Sequence, residues 1–106
     1  MSNFVLTYYG EPKFKNPEEG GKYMARWQAW VGNLGDTLVN PGVPFGKSKT
    51  VSPSGVSDDA GANRVTGFSI VKADNMDAAL KIAKGCPHLE HGTMGVHEAM
   101  EMSMSH

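Results

Sequence analysis

Segments of strand and helix character alternate along this chain in an order that few folds accommodate. Residues 3–9, NFVLTYY, are rich in β-branched and aromatic side chains, and Gly10 and Pro12 end the segment. Asn16 and Pro17 then supply a helix cap and a first helical residue, and two glutamates follow at the positive end of the helix dipole. The sequence therefore predicts a first strand followed by a first helix.

The first helix is predicted from an apolar stripe. Its large side chains recur at spacings of four, three and four residues: Tyr23, Trp27, Trp30 and Leu34. Gly35 ends the pattern. Because Gly20 and Gly21 each weaken a helix by roughly 1 kcal/mol, we expect the regular helix to begin nearer Lys22.

The rest of the chain adds three strand segments and a second helix. Residues 38–63 are broken by prolines and glycines and predict a hairpin, with residues 57–63, SDDAGAN, as its turn. Residues 64–73, RVTGFSIVKA, carry the strongest strand pattern. Residues 74–85 predict the second helix, and residues 93–102 predict a closing strand.

The resulting order, βαββαβ, predicts an α+β chain with the ferredoxin-like arrangement. Two βαβ units with right-handed crossovers give a four-stranded antiparallel sheet that carries both helices on one face. A chain of 106 residues without repeats or linkers is the size of one domain, so we take residues 1–106 as a single domain. The other sheet face is left uncovered, which predicts a homodimer in which a second copy covers it.

Charge and hydropathy exclude several classes of partner. Ten lysines and arginines stand against eleven aspartates and glutamates, so no sustained positive face is available for nucleic acid. Apolar runs of only a few residues and an N-terminus without a basic leader argue against a membrane or secreted protein. A single cysteine cannot form an internal disulfide. We therefore expect a cytoplasmic protein that binds neither nucleic acid nor membrane.

Residues 67–100, together with GVPFGKSKTV at residues 42–51, resemble the YCII-related family, also called the DGPF-domain group. The shared features are a glycine-led strand, an acidic turn into a helix with an acidic-Ala-Ala sequence, a Cys-Pro pair and a glycine-led last strand. The resemblance implies a dimeric α/β-barrel of ferredoxin-like subunits with a small-molecule pocket. One relative acts on chlorinated hydroxylated aromatics. A branch of the family is proposed to pair a first-helix histidine with an aspartate, and residues 25–30 of this chain contain no histidine.

The end of the chain holds the only cysteine and all four histidines. Cys86, His88, Glu90 and His91 are of the ligand types that suit zinc. Loop histidines more often bond carbonyl groups or face water, and Cys86 fits a buried small residue. Alternate methionines at 100, 102 and 104 suit copper(I) or packing equally well. We expect neither a bound metal nor a cofactor.

Four residues are predicted to line the pocket: Trp27, Trp30, Arg64 and His97. His97 lies between two small residues on its strand face, and its imidazole can act as a base near neutral pH; a histidine packed on the dimer-facing sheet is the alternative. A tryptophan of the first helix can stack on a flat ligand or fill the core. Arg64 offers a cation for an anionic ligand.

The sequence thus predicts a homodimeric module that binds a small aromatic or anionic molecule between the first helix, the hairpin loops and the sheet. The alternative is a cofactor-independent enzyme on the same scaffold, with His97 or His88 transferring a proton. Whether the chain is an enzyme stays open at this point.

Overall fold

The computed structural model describes residues 1–59 and 64–100. Within these ranges the chain forms six strands and two α-helices: β1 (Ser2–Tyr9), α1 (Pro17–Leu34), β2 (Leu38–Asn40), β3 (Ser48–Ser52), β4 (Gly55–Asp59), β5 (Val65–Ala73), α2 (Met76–Lys84) and β6 (Thr93–Glu98). Short 3-10 helices, Gly35–Thr37 and Pro87–Glu90, follow the two α-helices. Neither α-helix of these ranges has the length and apolarity needed to cross a bilayer.

Four strands form one antiparallel sheet in the order β2-β5-β1-β6. The first strand lies at its centre, with Phe4 opposite Val71 of β5 and opposite Glu98 of β6. This order and the two packed helices are those of the ferredoxin-like α+β fold, which confirms the prediction. Strands β3 and β4 form a separate two-stranded hairpin beside this sheet.

The core lies between the helices and one face of the sheet. Its buried side chains come from alternate positions of β1 and β5, from the two helices and from the segment after α2: Phe4, Leu6, Tyr8, Val71, Ala73, Trp30, Ala79, Ala83 and Cys86. Because strand side chains alternate between faces, Val5, Thr7, Phe68 and Ile70 lie on the opposite, open face, where each is partly exposed.

The first helix begins earlier than expected, at Pro17 rather than near Lys22. The side-chain oxygen of Asn16 accepts a hydrogen bond of 2.9 Å from the backbone N–H of Glu19, which caps the first turn. The ring of Phe14 packs over Gly20. The Asn16 cap, Pro17 and the Phe14 ring together offset the conformational cost of Gly20 and Gly21 near the start of the helix.

The predicted hairpin turn at residues 57–63 is wrong for its first part, because residues 57–59 belong to β4. The turn is instead Pro53 and Ser54, between the paired residues Ser52 and Gly55. Gly55 has a φ of 136°, which an L side chain rarely adopts. Residues 60–63 of the predicted turn lie outside the described residues.

The closing strand is shorter than predicted, since β6 ends at Glu98 rather than at residue 102. The backbone N–H of Ala99 still donates to the carbonyl of Asn3, at 2.9 Å, and Met100 is exposed. Residues 101–106, and with them Met102 and Met104, lie outside the described residues.

Candidate functional site

A cleft of about 700 Å³ lies between α1, the loop at residues 41–45 and strands β1 and β5. Its walls are mostly apolar, and aromatic side chains enter it from three segments: Tyr8, Tyr23, Trp27 and Phe45. The polar residues of its lining include Glu11, Arg64, Thr66, Ser69 and His88. An apolar cleft of this size with a few polar groups is typical of a small-molecule site.

Trp27 is the central aromatic side chain of the cleft wall. Its ring meets the ring of Tyr8 edge to face, with centroids 5.4 Å apart, and meets that of Tyr23 at 6.3 Å. It is only partly buried, unlike Tyr8 and Tyr23. A partly exposed indole held by two fixed rings can stack against a planar ligand at little entropic cost.

The loop at residues 41–45 forms the opposite wall and is tied to β5. Pro44 makes an isolated bridge with Gly67, and the backbone N–H of Phe45 donates to the carbonyl of Thr66 at 2.9 Å. Gly42, with a φ of 75°, passes so close to the carbonyl of Phe68 that a Cβ there would collide with it. The backbone of this loop can therefore follow this path along β5 only with glycine at position 42.

Two buried hydroxyl groups connect this loop to the sheet. The Tyr8 hydroxyl donates to Ser69 Oγ at 2.7 Å, and Ser69 Oγ donates to the Pro41 carbonyl at 2.8 Å. Burial raises the pKa of Tyr8 well above its usual range, so the phenol stays neutral. Both donors are used within the protein, which makes this pair a structural link.

His88 borders the cleft and lies in the 3-10 helix that follows α2. Only 3% of its surface is exposed. Its Nε2 atom is 2.8 Å from the Tyr9 carbonyl oxygen, and its ring centroid is 5.2 Å from that of Tyr8. His88 is held beside the cleft by its contacts with β1, a strand that is distant from it in the sequence.

Two of the four predicted pocket residues, Trp27 and Arg64, line the cleft. Arg64 donates from Nη2 to Glu11 Oε1 at 2.7 Å and from Nη1 to the Gly46 carbonyl at 3.1 Å. Its side chain is 15% exposed and that of Glu11 is 62% exposed. The guanidinium is thus already paired at the rim of the cleft.

The other two predicted residues lie away from this cleft. Trp30 is buried in the core, where its Nε1–H donates to the Ile82 carbonyl at 3.2 Å and joins the two helices. His97 is exposed on the open sheet face, with Nε2 3.0 Å from Thr7 Oγ1. The sheet separates it from the cleft, and a role for His97 at a site completed by a second copy stays a prediction.

Three of the side chains that suit zinc, those of Cys86, Glu90 and His91, lie in the core or contact other side chains. Glu90 pairs with Arg26 through two hydrogen bonds, of 2.8 and 2.6 Å. Burial raises the pKa of the Cys86 thiol to about 11, and the His91 ring packs against Phe14 and Tyr23 at 5.1 and 4.9 Å. Within residues 1–59 and 64–100, no three His, Cys, Asp or Glu side chains converge as a metal site would require.

A comparison with protein-family models finds no match to this chain, and a comparison with curated proteins finds none. Among solved structures, the chain is similar to 5-chloro-2-hydroxyhydroquinone dehydrochlorinase (TftG) from Burkholderia phenoliruptrix AC1100, in complex with 2,5-dihydroxybenzoquinone. The TM-score is 0.53 at 12% sequence identity, and the alignment covers 94% of this chain and 95% of that chain. At this identity the similarity establishes a shared fold over nearly the whole length of both proteins.

Proposed function

We propose that this protein binds a small planar aromatic molecule in the cleft between α1, the loop at residues 41–45 and the sheet. The observation that carries the proposal is the partly exposed Trp27 ring, held edge to face by Tyr8 on the wall of a cleft of about 700 Å³. Apolar walls favour transfer of a ring from water, and an indole face stacks on it. The solved TftG structure holds 2,5-dihydroxybenzoquinone, a planar six-membered ring of similar size, which supports a planar cyclic ligand.

Binding is favoured over catalysis by the surroundings of the histidines. In the described part of the chain, His88 contacts the Tyr9 carbonyl and His97 contacts the Thr7 hydroxyl, so neither imidazole bonds a carboxylate. Asp58 is paired with Lys49 at 2.6 Å. A histidine base oriented by an acidic partner, the arrangement that proton-transfer enzymes often use, is therefore not assembled in the described residues.

Replacement of Trp27 by leucine is expected to weaken binding of 2,5-dihydroxybenzoquinone about tenfold, because leucine retains apolar contact and loses the stacking surface. Isothermal titration calorimetry measures the change. Val51→Ala is the matched control, since Val51 is 77% exposed on the distant hairpin. Cyclohexane-1,4-diol, a saturated and non-planar ring, is expected to bind much more weakly. Equal affinity of wild type and Trp27→Leu would contradict the proposed stacking site.

The open sheet face is proposed as the contact between two copies of the chain. Val5, Phe68 and Ile70 give this face partly exposed apolar side chains, and the same surface on a second copy would cover them. Ile70→Glu is expected to shift the protein from dimer to monomer in sedimentation velocity. Asn33→Glu, which adds the same charge at an exposed position of α1, should leave the dimer intact. A monomeric wild type at high concentration would rule this contact out.

Membership in the YCII-related family and a cytoplasmic location are proposed together with this function. The glycine-led strands and the Cys-Pro pair in residues 67–100 support the family, and the fold shared with TftG agrees with it. The single cysteine, Cys86, is a buried free thiol, as is common in reducing compartments.

A further inference from the structure

The two nitrogens of the His88 imidazole have different hydrogen-bond environments. Nε2 lies 2.8 Å from the carbonyl oxygen of Tyr9. Because a carbonyl oxygen only accepts hydrogen bonds, Nε2 must carry the proton of this bond. In the neutral imidazole the other nitrogen, Nδ1, is then an acceptor with a free lone pair.

No side chain or backbone group among residues 1–59 and 64–100 donates to Nδ1 of His88. Every fully buried side-chain nitrogen or oxygen in that part of the chain has a partner. Nδ1 is therefore not fully buried, although the residue as a whole is only 3% exposed, and the cleft is the cavity that His88 borders. Since no donor in residues 1–59 and 64–100 reaches this acceptor, a donor from water or from a ligand can complete it.

The ring of His88 is held in a fixed direction. The backbone N–H groups of His91 and Gly92 donate to the His88 carbonyl at 2.9 and 3.0 Å, which fixes its backbone. Gly92 lies directly behind the ring, since a Cβ there would be 2.9 Å from Nε2. The Tyr8 ring packs on the imidazole at a centroid distance of 5.2 Å. The acceptor thus has a defined orientation before any ligand arrives.

The hydroxyl donors around the cleft are already used. Tyr8 donates to Ser69, and Ser69 donates to the Pro41 carbonyl. The Thr66 hydroxyl is directed to the carbonyls of Tyr8 and Gly10, at 3.2 and 2.9 Å. None of these three hydroxyl protons is therefore free to bond His88 Nδ1, and a ligand hydroxyl in the cleft can supply the donor that this nitrogen lacks.

We propose that His88 Nδ1 accepts a hydrogen bond from the acidic hydroxyl of the bound aromatic molecule, so that the cleft selects phenols over their ethers. The inference rests on the proposed aromatic-binding function and names the substrate class of that site. A phenol supplies the donor that Nδ1 requires, while its ring packs between Trp27 and the apolar wall. The methyl ether of the same ring has no proton to donate and leaves the acceptor desolvated and unpaired.

The test compares 4-cyanophenol with 4-cyanoanisole by isothermal titration calorimetry on the wild-type protein, at a pH where the phenol is neutral. The phenol is expected to bind about tenfold more tightly, the value of one buried hydrogen bond. Equal affinities would overturn the role of His88 and leave aromatic binding intact. Failure of both probes to bind would overturn the aromatic-binding function, and with it this inference.

The variant His88→Gln tests the donor role of Nε2 and the acceptor role of Nδ1 separately. The amide nitrogen of glutamine takes the place of Nε2 and can still donate to the Tyr9 carbonyl, while its carbonyl oxygen, on the terminal carbon, does not occupy the position of Nδ1. This variant is expected to bind both probes with the affinity that the wild type has for 4-cyanoanisole. A retained preference for the phenol would assign the selectivity to another group.

Nitrogen-15 spectra of the wild-type imidazole provide a readout that does not depend on the variant folding. We expect the His88 tautomer protonated at Nε2, and a change in the Nδ1 chemical shift on addition of 4-cyanophenol but not of 4-cyanoanisole. A tautomer protonated at Nδ1, or an Nδ1 shift that does not respond to the phenol, would contradict the proposal.

Discussion

Replacement of Gly42 by alanine is expected to lower the free energy of unfolding by about 3 kcal/mol, through backbone strain and a steric clash together. Gly42 has a φ of 75°, and an added Cβ would collide with the carbonyl oxygen of Phe68. Neither the strand nor the loop can move easily to relieve this clash. Phe68 lies in β5, and the loop is held by the bridge from Pro44 to Gly67 and by the bond from the Gly42 N–H to Asn40 Oδ1, at 2.8 Å.

Urea denaturation of the wild type and of two alanine variants measures this effect. Gly46→Ala, directly after this loop, is the control, because a Cβ at Gly46 meets no atom within 4 Å and its φ is not in the left-handed region. We expect Gly46→Ala to change stability by less than about 0.5 kcal/mol. A Gly42→Ala protein as stable as the control would mean that the loop does not follow this path along β5.

The strands and helices of the sheet layer are predictable from sequence because their side chains alternate between core and solvent. Residues 3–9 and 64–73 have period two, and both segments pair at the centre of the sheet. The stripe of the first helix packs on the same core. In these segments burial selects the side chains directly, so local pattern and tertiary structure agree.

The strands and the turn of the β3–β4 hairpin are hard to locate from sequence because almost none of its described side chains is buried. Its side chains at Lys49, Val51 and Val56 are all exposed, so no alternation of apolar and polar residues marks its strands. The polar run that begins at Ser57 therefore reads as a turn although its first residues pair with β3. The actual turn depends on the positive φ of Gly55, which composition alone does not reveal.

Sequence alone does not separate the roles of the two tryptophans, because helical spacing does not show which side chain lies at the edge of a helix face. Trp27 and Trp30 are three residues apart and lie on adjoining parts of one helix face. The cleft receives Trp27 while α2 covers Trp30, whose N–H bonds the Ile82 carbonyl. From sequence, His88 is a loop histidine that can bond a carbonyl group, face water or transfer a proton. Its place beside Tyr8 depends on a contact between distant segments.

Gly92→Ala is expected to cost about 2–3 kcal/mol of stability and to abolish the preference for phenol over ether, because the substituted backbone and the His88 ring occupy the same space. A Cβ at Gly92 would collide with the Tyr9 carbonyl and would lie 2.9 Å from His88 Nε2. The carbonyl that fixes the imidazole is therefore the atom that must move. The fold and the proposed acceptor depend on the same residue.

Gly95→Ala is the matched control, three residues further along the chain. A Cβ at Gly95 would be 2.5 Å from Thr7 Oγ1 and 2.6 Å from His97 Nε2, which are equally short contacts. The His97 ring can rotate away and Thr7 Oγ1 can move by a change of χ1, so we expect a loss of about 1–2 kcal/mol, smaller than at Gly92, and an unchanged phenol preference. Urea denaturation and calorimetry with the two probes measure both quantities. If Gly92→Ala kept the wild-type preference, the orientation of His88 would not depend on the Tyr9 carbonyl, because that carbonyl cannot hold its position beside the added methyl group.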